Sequence, residues 1–137
     1  MKKFIAFVVL GLLIASFGTA FAAQQKYTGL IVDARELGIS PGKSPKIYDE
    51  NGIEIYGTVN IDPDFVIEKG IIQYSRTIGE AIREELAGDN PIVVRAIARG
   101  PHPYKADVTI STEDALWILK ANLKSNFLQD LRVVFVL

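Results

Sequence analysis

The chain has 137 residues, 15 basic and 16 acidic side chains and no cysteine, enough for one small domain with a real core. So even a charge balance gives no electrostatic drive toward nucleic acid or an anionic membrane surface, which both reward clustered lysine and arginine. The missing cysteine excludes disulfides, thiol catalysis, cysteine-held zinc and a lipidated N-terminal cysteine.

The chain opens on Lys2-Lys3, an uncharged apolar run from Phe4 to Phe17, and then Ala20-Phe21-Ala22. A positive start, an apolar middle and a small-x-small close are the pattern of a secretory signal peptide. Residues 1–22 are therefore read as a leader, with cleavage expected between Ala22 and Ala23. Residues 23–137 remain as one domain of 115 residues, with 13 basic and 16 acidic side chains and a net charge of −3. No later run is apolar and long enough to span a bilayer, which takes about 20 residues. The expected location is the periplasm or the outside of the cell.

After a short tail, Tyr27–Ala34 reads as a strand whose Leu30-Ile31-Val32 core predicts burial on both faces. Arg35–Pro45 carries two prolines and two glycines and reads as a long loop. Lys46–Gly57 reads as a hairpin about Asn51-Gly52, the preferred pair for a type I′ turn. That turn sets Tyr48 opposite Ile55 and Asp49 opposite Glu54, with Tyr48, Ile53 and Ile55 on a buried face. Asp62-Pro63 has the N-cap and first-turn residues of a short helix. Ile71–Arg76 fits either a strand or an extended link. Thr77-x-x-Glu80 is a capping box ahead of a helix with Ile78, Ala81, Ile82 and Leu86 on one stripe.

Ile92–Arg99 and Tyr104–Ser111 read as two strands flanking Gly100-Pro101-His102-Pro103. Tyr104, Ala106, Val108 and Ile110 alternate with polar residues, the mark of a half-buried antiparallel strand. Ser111-x-x-Asp114 opens a second helix running to about Leu123, with Leu116, Leu119 and Leu123 on one face. Leu131–Leu137 ends the chain as an apolar strand, central or well covered. The fold class is α+β, with one mixed, mainly antiparallel sheet of five or six strands and two or three helices.

The residues give no recognisable catalytic set. His102 is the only histidine and reads as a loop residue between prolines. No serine lies in a nucleophile context such as G-x-S-x-G. Gly38-x₃-Gly42-Lys43-Ser44 ends like a phosphate-binding loop but is one residue short, and Pro45 blocks the helix that must follow. With one histidine, zinc would depend on carboxylates, and the acidic turns lack the ligand series of a calcium loop. No metal or cofactor is expected. The candidate ligand or contact residues are Asp33 and Arg35, straddling the end of the first strand, and the acidic pair Asp49 and Glu54 on the hairpin.

Tyr27-Thr28-Gly29-Leu30-Ile31-Val32-Asp33-Ala34-Arg35, Ser44-Pro45-Lys46-Ile47-Tyr48-Asp49-Glu50-Asn51-Gly52, Tyr56-Gly57 and Asp62-Pro63-Asp64-Phe65 together carry a family likeness. Asn90–Val94 and Arg132–Val136 continue it. The chain resembles small exported bacterial envelope proteins related to the flagellar P-type outer-membrane proteins and membrane-associated lipoproteins. The resemblance implies a non-catalytic envelope component whose partners are envelope proteins or further copies of itself. Some relatives assemble into rings or discs around the flagellar motor. Where such relatives are often lipidated on a cysteine, this chain has Ala22-Ala23. Two functions follow as expectations: a structural or assembly protein acting by protein–protein contact, and, as the alternative, a small-ligand or cation-binding periplasmic domain.

Overall fold

Gly29–Asp33 forms strand β1, and its apolar residues are buried on both faces. The computed structural model describes residues 26–57 and 70–137. The leader with its Ala22–Ala23 junction and the Asp62-Pro63 helix start lie outside the described residues. In chain order, β1 is followed by β2 (Ile47–Tyr48), β3 (Glu54–Tyr56), β4 (Gln73–Ser75) and helix α1 (Ile78–Arg83). Then come β5 (Pro91–Arg95), β6 (Ala98–Arg99), β7 (Val108–Thr109), helix α2 (Thr112–Ser125) and β8 (Val133–Val136).

The strands form two sheets of four, in the orders β4-β8-β1-β5 and β3-β2-β7-β6. Every pairing in the first sheet is parallel, with Leu30 beside Ile92 and Val133, and Val32 beside Val94 and Phe135. Side chains alternate across a strand, so one sheet face carries Leu30, Val32, Ile92, Val94, Val133 and Phe135 into the main core. Ile31, Val134 and Val136 point to the other face and meet Ala81 of α1, with Ile78 and Leu86 packed beside them. Cover on both sides explains why β1 and β8 read as unbroken apolar runs, as buried parallel strands do.

The second sheet closes the main core from the opposite side with Ile47, Tyr56 and Val108, and α2 adds Ala115 and Ile118. The chain passes from one sheet to the other between β5 and β6. There Ala96 N–H still donates to the Asp33 carbonyl of the first sheet, and Ile97 N–H already donates to the Thr109 carbonyl of the second.

Both helix starts form as the caps predict. Thr77 accepts from Glu80 N–H and Ser111 from Asp114 N–H. The Glu50 carboxylate also accepts from Thr112 N–H at 3.0 Å, tying the hairpin turn to the first turn of α2. At its far end α2 stops on Asn126 in the left-handed region. Buried Asn122 then accepts from Leu128 N–H and donates to the Gln129 side chain.

The fold is the single-domain α+β arrangement that the sequence predicts, with eight strands and two helices among the described residues. Its strands divide into two four-stranded sheets in place of one of five or six, and the expected antiparallel majority is reversed: four of the six strand pairings are parallel, all three in the first sheet and β2–β7 in the second. The expected strand over 92–99 is cut in two by the passage between sheets. The expected strand over 104–111 contracts to β7, which does run antiparallel to β6, and Tyr104 is 70% exposed.

The hairpin departs from the type I′ reading. Gly52 N–H donates to the Asp49 carbonyl, Asp49 N–H donates to the Ile53 carbonyl, and only Gly52 of the pair takes a positive φ, +77°. This is a three-residue loop with a bulge at the glycine. It shifts the register by one, so Glu54 lies opposite Tyr48. The slip is local: past a bulge Ile47 lies opposite Tyr56, as the tighter turn would set it, and Ile55 and Tyr56 still pack on the core, while Ile53 beside the loop is 60% exposed.

Tyr56 supplies a pH handle on this core. Its hydroxyl donates to the Ile71 carbonyl at 2.7 Å, and burial pushes the phenol well above its ordinary value. The folded state therefore holds this proton after the unfolded chain has released it. Its contribution is complete below the unfolded value of about 10 and is lost as pH rises beyond it. Tyr74 and Tyr48 are raised by burial in the same direction. Denaturant titrations should show stability falling above about pH 10, and Tyr56→Phe should reduce that slope while costing about 1–2 kcal/mol at neutral pH. An unchanged alkaline slope in Tyr56→Phe would refute the assignment.

Candidate functional site

The four candidate site residues are distributed over both sheets, and each carboxylate has a partner within the fold. Asp33 ends β1, and Arg35 turns back onto it with Nε and one terminal nitrogen each 2.9 Å from a carboxylate oxygen. The pair is two-pronged, tighter than two residues one apart on an extended strand would give, because the chain leaves the strand into a turn at Arg35. Arg35 N–H also donates to Asp33 Oδ1. These hydrogen bonds hold the Asp33 carboxyl below its usual range, against an opposing effect of burial.

Asp49 is buried in the hairpin, where one carboxylate oxygen accepts from both Asn51 and Ile53 N–H at 2.9 Å. It is a turn anchor of the Asx type. Glu54 does not face Asp49. The shifted register sets it against Lys46, with Nζ to Oε1 at 2.9 Å. Among the described residues no group of three histidine, aspartate or glutamate side chains is placed to hold a metal ion.

The long loop after β1 is held at four places. Arg99 Nε donates to the Leu37 carbonyl at 2.7 Å, and Ser40 N–H donates to the Lys105 carbonyl at 3.0 Å. Ile71 N–H donates to the Lys43 carbonyl, and the Tyr74 hydroxyl bonds both backbone groups of Gly42. So fixed, the loop forms one wall of an open cleft of about 610 Å³. Lining it are Gly42 and Ser44 of the loop, Lys46 and Tyr48 at β2, and His102, Tyr104, Ala106 and Asp107 from the segment between β6 and β7. The His102 ring stands edge-on to Tyr48, with centroids 5.6 Å apart. Buried Asp107 accepts from Lys46 N–H at 2.8 Å and so links the two walls. The sequence names these residues but not their meeting, because they converge only when β2 pairs with β7. The cleft offers aromatic surface, a lysine already paired with Glu54 and a carboxylate already accepting a backbone bond.

The more prominent surface lies on α2. Leu116, Leu119 and Leu123 do share one face, as their spacing predicts, but that face is turned to solvent with the three residues 64%, 40% and 82% exposed. The helix docks on the core through Ala115, Ile118 and Asn122. Trp117 lies to the other side and meets Tyr27 edge-on at 5.8 Å. The sequence carried a signal of this arrangement. Seven of the nine residues from Ala115 to Leu123 are apolar, more than one buried stripe of a helix accommodates.

Among the described residues no helix is long and apolar enough to cross a membrane. No curated protein matches the chain. One protein family does, that of Treponema pallidum Tp0624, second domain, over residues 29–137, from the start of β1 through β8. The chain belongs to this family of Tp0624 second domains.

Proposed function

We propose that the protein is an exported, non-enzymatic component of the bacterial envelope, periplasmic or held at the outer membrane, that works by contact with other proteins. One observation carries the reading: α2 spends a row of three leucines on solvent while docking through Ala115, Ile118 and Asn122. Contiguous apolar surface that a monomer leaves open is characteristic of an interaction site. The leader-like pattern over residues 1–22 supports export, and the pinned proline-bearing loop beside β2 adds a rigid polar surface. The resemblance to flagellar P-type proteins directs the search for partners toward flagellar and outer-membrane components.

The alternative, small-ligand binding, has its best support in the cleft between Lys46 and His102, not at Asp33, Arg35, Asp49 or Glu54. In-cell photo-crosslinking separates the two. A photoreactive residue at Leu119 should give adducts with envelope proteins or with the chain itself, from an exported species that begins at Ala23. A reactive group at exposed Val93, on the opposite side of the first sheet, should not. An intact Met1 on a cytosolic species, or no adduct from Leu119, would overturn the proposal.

A further inference from the structure

We infer that the leucine face of α2 is a self-association surface, pairing with α2 of a second copy in antiparallel orientation. The inference rests on the contact function proposed above and names its partner.

Within α2, Leu116, Leu119 and Leu123 follow the three-and-four spacing that forms the seam between two packed helices. One side of the seam is closed by the protein itself, since Ala115 and Asn122 are buried against the core. The other side is flanked by Glu113 and Lys120, both exposed. These two are seven residues apart and so occupy the same position along the helix edge, one acidic and one basic. Such an edge is self-complementary only when the second helix runs the opposite way. Antiparallel pairing about a two-fold axis sets Leu116 against the partner's Leu119 and brings Glu113 toward the partner's Lys120, each contact made twice. Parallel pairing would instead set the Glu113–Lys120 edge of each helix against the partner's opposite edge, Ala115 and Asn122, which is already buried against the partner's own core. The antiparallel arrangement also opposes the two helix dipoles, head to tail.

Size agrees with a reversible contact. Three leucines at these exposures present on the order of 350 Å² of apolar surface, the scale of a functional patch on a monomer. Two copies with their flanking stems would bury about 1,000 Å² in total, the lower bound for a specific interface. The association is therefore concentration-dependent, with weak pairs in solution that become effective where copies are held together at a surface or in an array.

Sedimentation of the protein as isolated from the expressing cell tests this directly. The expected result is a monomer–dimer equilibrium shifting toward dimer as concentration rises into the high micromolar range, abolished by Leu116→Asp or by Leu119→Asp. Both positions are exposed, so circular dichroism should show the fold retained. The orientation is read from charge. Glu113→Lys alone and Lys120→Glu alone should each weaken the dimer several-fold at low salt, and the two together should restore it. Failure of the double exchange to restore association overturns the antiparallel geometry. A monomer at every concentration overturns self-pairing. If Leu119 still crosslinks to an envelope protein in that case, the contact function stands and its partner is another chain. If it crosslinks to nothing, both readings fall.

Discussion

Phe135→Ala is expected to cost about 3–5 kcal/mol, the range for removing a buried aromatic ring from a packed core. Phe135 is fully buried on β8, one of the two inner strands of the parallel sheet. Its ring meets Tyr74 edge-on at 6.2 Å, and its neighbours across the sheet are Val32 on one side and Tyr74 on the other. The hole left by alanine would open where the first sheet faces the second, among residues that cannot all close upon it. Domains of this size have about 5–15 kcal/mol in total, so the variant should lose between roughly a fifth and all of its stability. Guanidinium titration followed by the fluorescence of the single tryptophan, Trp117, should show a much lower midpoint with an unchanged slope. Heating should show a loss of at least about 15 °C. A loss below about 1 kcal/mol would mean that β8 does not carry the core in the way described.

The same residue marks where sequence reasoning works in this protein and where it stops. Leu131–Leu137 is legible as a covered strand because nearly every side chain in it is apolar, and cover on both faces is the only way to satisfy that. The caps at Thr77 and Ser111 are legible because they depend on residues three apart in the chain. The existence of two sheets was not, since no local pattern records that the chain changes sheet at Ala96-Ile97. That passage depends on which distant carbonyl, Asp33 or Thr109, each N–H finds. The hairpin fell between these cases. Asn51-Gly52 marks the turn, but Asp49 captures two N–H groups with its side chain and draws the loop out to three residues. One residue of slip then separates Asp49 from Glu54 and gives Glu54 to Lys46. At the candidate sites, residue types are readable while convergence is not. Asp33 and Arg35 are neighbours in the chain and do meet, whereas Tyr48 and His102 meet only through the pairing of β2 with β7. On α2 the leucine spacing is plain, but spacing alone does not say which of two apolar faces the core takes. The core takes the one carrying Ala115, Ile118 and Asn122 and leaves the leucines outside.

Gly29→Ala should be nearly as damaging as the loss of a core ring, and for the opposite reason. A methyl group on Gly29 would lie 2.4 Å from the Ala87 carbonyl oxygen, 2.7 Å from the Ala87 Cβ and 2.8 Å from the Arg132 carbonyl oxygen. Neither oxygen is free to withdraw. The Ala87 carbonyl accepts from the Thr28 hydroxyl at 2.8 Å, and the Arg132 carbonyl accepts from Leu30 N–H at 2.9 Å. To admit the methyl, β1 must move away from the turn after α1 on one side and from the start of β8 on the other. Both movements open the parallel sheet at its centre. Overpacking of this kind costs about 1–3 kcal/mol where side chains can yield, and the upper end or beyond is expected where the obstacles are backbone. Gly52→Ala makes the control. There a methyl group meets nothing within 4 Å, and the only penalty is the positive φ of +77°, about 1–2 kcal/mol for a left-handed alanine. Equilibrium unfolding of the two variants should therefore rank Gly29→Ala below Gly52→Ala, with Gly29→Val failing to fold at all. If Gly29→Ala is the milder of the two, the close approach of β1 to Ala87 and Arg132 is wrong. The register of the parallel sheet, which brings Leu30 beside both Ile92 and Val133, would then need to be redrawn.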